Sequence, residues 1–261
     1  MDHVADRSRS GPDAAPQVRQ VDAARVFVWL HRGLDDLSMA WRVSLSYGAL
    51  VAAFGAGLLV VAWGSAHLVP TLMGGFLLVA PFAALVLCAL SRQIEEGAPI
   101  DSVAAAFAWR SNSGQIALYA LVLAICLIAW ERLAAITFAL SWNGEVPDPG
   151  LHWTQALITV QSMQLLAAFI GVGAVVAAAV FTLSVVTMQV LLDRPVDVVT
   201  AMLTSLRCCW TNPAATALWA VLIAALMALG FATAMIGLVL IFPWLGHATW
   251  HAYRDMVEPE G

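Results

Sequence analysis

Two histidines near the C-terminal end of the chain have the spacing of metal or haem ligands. In the stretch GHATWHAYRD, His247 and His251 are four residues apart, and Arg254 and Asp255 follow closely. On a helix this spacing places both imidazoles on one face, which suits a metal ion. The stretch supplies no further ligand, so it predicts at most a weak metal site. We favour the alternative, the polar exit of a membrane helix, where His251 pairs with Asp255 and an interfacial belt is formed by Trp244, Trp250, Tyr253 and Arg254.

A second candidate site is the charged pair Glu131 and Arg132 in the apolar stretch IAWERLAAITFAL. Charges at membrane depth cost about 2.5–3.5 kcal/mol each on insertion scales and usually face a cavity or a partner. One interpretation places the pair in an intramembrane polar pathway or ligand pocket. The other places it at the outer headgroups, because the uncharged run before Glu131 is already long enough to cross a membrane.

The sequence contains no motif of a known catalytic site. It has no nucleophile elbow, phosphate-binding loop, dinucleotide fingerprint or HExxH motif, which argues against an enzyme. None of the four cysteines forms a CxxC pair, so neither a disulfide framework nor a zinc site is indicated. No cofactor is predicted, because a membrane haem needs facing histidines inside the apolar layer and only His247 comes near it.

The elements that must position these residues are membrane helices. The chain is 61% hydrophobic and only 11% charged, and residues 43–91, 149–192 and 208–253 contain no Asp, Glu, Lys or Arg. A helical span needs about 20 apolar residues, so each of these runs can hold two crossings. The sequence predicts an all-α bundle with six transmembrane helices, at residues 44–64, 69–90, 114–140, 164–191, 213–230 and 232–250, with a tight turn near Gly230.

Arginine placement predicts the orientation of the bundle. All the basic residues are arginines, and every one except Arg132 falls on the same side of the six predicted spans. By the positive-inside rule both termini face the cytoplasm of a bacterial inner membrane. We expect residues 1–24 to be a disordered cytoplasmic tail, residues 25–255 the membrane domain, and residues 256–261 a short cytoplasmic tail.

An internal repeat divides the chain into three similar units. PIDSV at 99–103 matches PVDVV at 195–199, and IALYALVLA at 116–124 matches TALWAVLIA at 216–224. A weaker repeat, AWR, occurs at 40–42 and again at 108–110. Each unit is predicted to be a short cytoplasmic interfacial helix followed by a membrane hairpin. Each of the three interfacial helices should place one tryptophan at headgroup depth, and these are Trp41, Trp109 and Trp210.

Several residues inside the predicted spans are expected to shape the helices. Pro81 and Pro243 fall mid-span, where proline frees a backbone carbonyl and kinks a helix. Gly171 and Gly173 should let the fourth span pack closely on its neighbours. Residues 151–164 are too polar for a span and favour an interfacial or partly re-entrant helix.

Three stretches resemble a family of bacterial integral membrane proteins whose function is not established, over about residues 25–255. They are WLHRGLDDLSMAWRVSLSYG, LLDRPVDVVTAMLTSLRCCWTNP and FPWLGHATWHAYRD. The resemblance implies a six-span inner-membrane protein and supplies no catalytic residue. Members are sometimes labelled cytochrome c oxidase subunit I, a label that this chain does not support because it lacks the buried haem and copper histidines.

These patterns lead to three functional hypotheses. We favour a transporter or channel for a small solute or ion, because hairpins repeat, two spans contain proline, and a charge pair interrupts a third. The alternatives are an accessory subunit or assembly factor of a respiratory or other membrane complex, and a haem- or metal-binding membrane protein. The expected partners are the bilayer, a possible membrane complex and a possible second copy of the chain, with no nucleic acid.

Overall fold

The computed structural model describes residues 16–61, 69–141 and 160–258, and these are almost entirely helical. The all-α prediction is confirmed for this part of the chain. The helices are α1 (Arg25–Met39), α2 (Trp41–Val61), α3 (Val69–Glu95), α4 (Ser102–Phe107) with a 3₁₀ turn (Ala108–Asn112), α5 (Ser113–Ser141), α6 (Val160–Ser184), α7 (Thr187–Asp193), α8 (Val198–Thr211), α9 (Pro213–Ala232) and α10 (Leu238–Met256).

Five candidate membrane-spanning helices are found among the described residues, in the regions of α2, α3, α5, α6 with α7, and α9. They coincide with the first five predicted spans. The sixth long helix, α10, is not among them, because its second half contains the polar stretch GHATWHAYRD. The sixth span is therefore not confirmed, although a helix forms there.

The long helices alternate in direction. Ser44 near the start of α2 lies beside His247 in the second half of α10, whereas Gly55 further along α2 lies beside Met235, just before α10 begins. This alternation gathers the start of α2 and the ends of α3, α7 and α10 at one end of the bundle, which we call the polar end. Among the described residues, the charged side chains away from the polar end are those of Glu131 and Arg132.

The helix α10 forms the centre of the assembly at the polar end. It packs chiefly against α1, α2 and α3, and less against α9, its neighbour along the chain. Of the three predicted hairpins, only α5 and α6 pack mainly against each other. The arrangement of three hairpins is therefore not confirmed. The predicted aromatic belt is wrong, because Trp250 and Tyr253 are buried inside the bundle at 1% and 0% exposure.

A close contact between α2 and α10 depends on a glycine and a proline. Pro243 has no backbone N–H, so the carbonyl of Val239 one turn earlier loses its helical donor. Gly48 of α2 packs directly on this carbonyl, and a Cβ atom there would overlap it. Pro81 likewise lies inside a continuous helix, α3. That these two prolines kink their helices stays a prediction.

The turn before α10 differs from the predicted one. The chain continues as α9 through Gly230 to Ala232, and the reversal occurs over residues 233–237. Ala234 and Met235 adopt positive φ values of 51° and 72° there. Gly230 lies within the helix and allows close packing against Leu238. A Cβ atom on residue 230 would overlap the side chain of Leu238.

The predicted short helices are present, and aspartates cap two of them. Asp101 accepts hydrogen bonds from the backbone N–H groups of Val103 and Ala104 at the start of α4. Asp197 accepts from the N–H and hydroxyl of Thr200 at the start of α8, which lowers the pKa of this exposed carboxyl. The helix therefore begins at Val198, directly after this cap.

The two ends of the described chain meet at the polar end. Val18 forms an isolated antiparallel bridge with Val257, and the N–H of Arg19 donates to Met256 O at 2.8 Å. The described part of the predicted N-terminal tail, residues 16–24, is thus held against the end of α10, while residues 1–15 lie outside the described residues. Of the predicted outer helix at 151–164, residues 151–159 also lie outside them, and residues 160–164 begin α6.

Candidate functional site

The second half of α10 is enclosed by polar groups from several helices, and His247 is its deepest member. The imidazole is fully buried. Its Nε2 lies 2.9 Å from Ser44 Oγ of α2, and its Nδ1 lies 2.8 Å from Ser91 Oγ of α3. A neutral imidazole donates through one nitrogen and accepts through the other, so both serines match it. His247 therefore joins three helices through hydrogen bonds.

One turn further along α10, His251 pairs with α1. Its Nε2 lies 2.8 Å from Asp36 Oδ2, and both side chains are largely buried. The predicted pairing of His251 with Asp255 is therefore wrong. The carboxylate of Asp255 instead accepts from Arg25 at 2.6 Å and from Trp29 Nε1 at 2.7 Å. Both partners lie on α1, because that helix packs along α10.

The opposite side of α10 contacts carboxylates at the ends of α3 and α7. Arg254 Nε donates to Glu95 Oε1 at 3.0 Å and lies 3.8 Å from Asp193. Trp250 Nε1 donates to the other oxygen of Glu95 at 2.8 Å, and the Tyr253 hydroxyl donates to Asp193 at 2.7 Å. These contacts satisfy polar groups that would be costly to bury alone.

The four predicted residues of the cytoplasmic-edge cluster, His247, His251, Arg254 and Asp255, thus lie in one polar network. Their hydrogen bonds run to side chains on neighbouring helices rather than to a shared ligand. His247 bonds to α2 and α3, His251 and Asp255 bond to α1, and Arg254 bonds to α3. Both ring nitrogens of His247 and the Nε2 atom of His251 are engaged in hydrogen bonds with protein side chains. This does not favour the hypothesis of a weak metal site. Within residues 16–61, 69–141 and 160–258, no group of three or more His, Cys, Asp or Glu side chains is placed to hold a metal ion.

The sequence did not reveal the partners of this network. Ser44, Ser91 and Asp36 are far from α10 along the chain, and none belongs to a recognisable motif. The sequence pointed to Asp36 only through the stretch WLHRGLDDLSMAWRVSLSYG, which contains it and resembles the membrane protein family. Pairing across the bundle required the tertiary structure.

The second candidate site lies near the far end of α5. Trp130 is wedged between two glycines, since Cβ atoms at Gly74 of α3 and Gly173 of α6 would lie 3.1 and 3.2 Å from its ring. Its ring also meets Phe169 edge-on at 6.5 Å between centroids. The close packing predicted for Gly173 is therefore present, whereas a Cβ at Gly171 would meet nothing within 4 Å.

Glu131 and Arg132, which follow Trp130, face different surroundings. The Oε1 atom of Glu131 is enclosed and has no hydrogen-bond partner in the described part of the chain, whereas Arg132 is exposed. Eighteen residues of helix separate Glu131 from Ser113 at the polar end, about 27 Å at 1.5 Å per residue. This distance is close to the thickness of the apolar core of a bilayer, which is about 30 Å.

An apolar groove runs between α2 and α3, with a volume of about 480 Å³. Its walls carry only apolar side chains, among them Leu50, Ala53 and Phe54 of α2, Phe76, Val79 and Ala80 of α3, and Phe242 of α10. The groove therefore offers nothing to hydrogen-bond a polar solute. Its chemistry matches a hydrocarbon chain.

Residues 68–193 match the family model described as "Predicted integral membrane protein (DUF2189)". The resemblance to a membrane protein family of unknown function is confirmed over this segment. The match is narrower than the expected range of 25–255, so the stretch GHATWHAYRD lies outside it. No curated protein and no solved structure matches the chain. The family match and the apolar helices together identify an integral membrane protein.

Proposed function

We propose that this integral membrane protein transports a small ion or solute and that the carboxyl of Glu131 is part of the pathway. The observation that carries the proposal is the enclosed Glu131 Oε1 atom, which has no hydrogen-bond partner among the described residues. A buried acceptor without a donor is costly, and intramembrane carboxyls commonly bind protons or cations.

The position of Glu131 suits a group at the mouth of a pathway. Glu131 follows Trp130, which lies at the junction of α3, α5 and α6. With the polar end at one boundary of the membrane, we infer that Glu131 lies near the other. In the proposed orientation the polar end faces the cytoplasm of a bacterial inner membrane, following the arginines. Glu131 then receives its proton or cation from the outer side, and the neighbouring Arg132 faces outward.

Flux through reconstituted protein tests the proposal. Liposomes with the purified chain and internal pyranine would report proton entry under a pH gradient, and a radiotracer would report Na⁺ entry. We expect flux of one of these cations above that of empty liposomes, and its loss in Glu131→Gln. The matched control is Glu96→Gln, an exposed glutamate at the polar end, which should retain the flux. Equal flux in Glu131→Gln and the parent would contradict a role for this carboxyl.

A second function, as an accessory subunit or assembly factor of a membrane complex, is favoured by the exposed surface of α6. No residue of α6 whose side chain is described is buried. Surface of this kind can pack against another membrane protein as well as against lipid. Purification of the chain from its own membrane in a mild detergent, followed by mass spectrometry, should then recover stoichiometric subunits of one complex. Recovery of the chain alone would argue against this function.

A further inference from the structure

The arginines at the polar end fall into two groups according to their counter-charge. Arg25, Arg92 and Arg254 each form an ion pair with an aspartate or glutamate. Arg42, the second residue of α2, is exposed and pairs with no carboxylate among the described residues. Its guanidinium lies over the exposed ring of Trp41, 5.2 Å from the centroid. The guanidinium of Arg42 is therefore available to an anion from outside the protein.

The apolar groove begins further along the same helix. Ala53, which lines the groove, follows Arg42 by eleven residues, or about three helical turns, so it lies on nearly the same side of α2. The axial separation is about 17 Å. A cationic group and an apolar groove thus follow each other from the end of the helix towards the middle of the membrane.

We propose that Arg42 and the groove between α2 and α3 form a binding site for an anionic phospholipid of the bilayer. The phosphate pairs with the guanidinium of Arg42 at headgroup depth, where Trp41 is also suited to lie. One acyl chain descends along α2 into the groove and contacts Leu50, Ala53 and Phe54. Only a molecule with both an anionic head and an apolar tail satisfies the two parts of the site. The proposal is independent of any transport by Glu131.

The test compares lipids on the purified, delipidated full-length chain in detergent. Thermal unfolding is measured during titration with phosphatidylglycerol, which is anionic, and with phosphatidylcholine of the same chain length, which is zwitterionic. We expect tighter apparent binding of the anionic lipid, and a preference that declines as salt is raised. Dihexanoyl-phosphatidylglycerol and inorganic phosphate test whether the head alone is sufficient, and both should bind more weakly.

Two variants separate the head from the tail. Arg42→Gln should weaken binding of phosphatidylglycerol about fivefold, as expected for one arginine at an anionic headgroup. It should weaken binding of phosphatidylcholine less, because the choline group of that lipid neutralises the charge of its phosphate. Its control, Arg32→Gln, removes another exposed arginine at the polar end and should bind like the parent. Ala53→Phe should fill the groove and weaken both long-chain lipids. The same change at exposed Ala124 of α5 should not.

Three results would overturn the site. They are equal affinity of the parent for the two long-chain lipids, equal losses in Arg42→Gln and Arg32→Gln, and a stabilisation by inorganic phosphate as large as that by phosphatidylglycerol. An Ala53→Phe variant that binds both lipids like the parent would remove the groove from the proposal.

Discussion

The assembly of α10 with α1, α2 and α3 contrasts with the pair α5 and α6. Twelve of the nineteen residues of α10 are buried, whereas α6 has no buried residue among those whose side chains are described. Yet α10 is the more polar helix, and α6 is among the five that are apolar enough to cross a membrane. In this protein the polar helix is enclosed and the apolar helix is exposed, the reverse of a water-soluble bundle.

The contrast follows from the solvent that surrounds a membrane helix. Lipid tails are as apolar as leucine, so an apolar helix gains little by leaving them. Hydrogen-bonding groups such as those of His247, Trp250 and His251 find no partners in lipid and must find them in protein. We therefore expect substitutions around α10 to alter stability much more than substitutions on α6.

The largest effect is expected at the contact between α2 and α10. Gly48→Ala places a methyl group on the Val239 carbonyl, a backbone atom that cannot turn aside, and should lower the free energy of unfolding by about 3 kcal/mol. Gly57→Ala, on the same helix with open space around its Cβ, is the matched control and should be neutral or slightly stabilising. Unfolding in mixed detergent micelles measures both. Equal stability of the two variants would show that the helices are not in contact at Gly48.

A valine pair compares the two kinds of surface directly. Val190→Ala in α7, where the side chain is fully buried, should cost about 2 kcal/mol of unfolding free energy through the cavity that it leaves. Val175→Ala in α6, where the side chain is 71% exposed, should change stability by less than about 0.5 kcal/mol. If Val175→Ala proved as destabilising as Val190→Ala, α6 would have to be covered by a second copy or another protein.

The smallest effect of the three is expected from the ion pair between α1 and α10. Asp255→Asn removes a charge that accepts from Arg25 and Trp29. Because Arg25 is 40% exposed, we expect a loss of only about 1 kcal/mol, decreasing at high salt. Asp35→Asn, whose carboxylate is exposed and lies 3.9 Å from His31, should cost almost nothing. A salt-independent loss in Asp255→Asn would indicate a packing defect instead of a lost charge.

The helices could be predicted from the sequence, whereas most of their partners could not. Long uncharged runs act locally, so α2, α5 and α9 were predicted to within a few residues. The belt containing Trp250 and the pair of His251 with Asp255 were wrong, because both assumed that α10 lies at the periphery. Helical spacing shows which residues share a face and does not show what that face meets.

The candidate sites also contain some residues that could be predicted from the sequence and others that only the tertiary structure revealed. Glu131 was identified from the cost of a charge in an apolar run, and the structure added that its carboxyl oxygen is enclosed while Arg132 is exposed. The serines on His247 had no sequence signal, because a serine within an apolar helix is common and its value depends on what lies opposite. Gly48 is similar, since its importance arises from a carbonyl that Pro243 frees on another helix.

The sequence by itself determined that this chain is an integral membrane protein with its charges gathered at one end, because the cost of placing a charge in lipid acts on each residue separately. Only the tertiary structure decided which helix is enclosed. That choice depends on donors and acceptors meeting across the bundle, from Ser44 and Ser91 on His247 to Asp36 on His251. The stretch GHATWHAYRD is therefore a central connector of the fold rather than an exposed helix end.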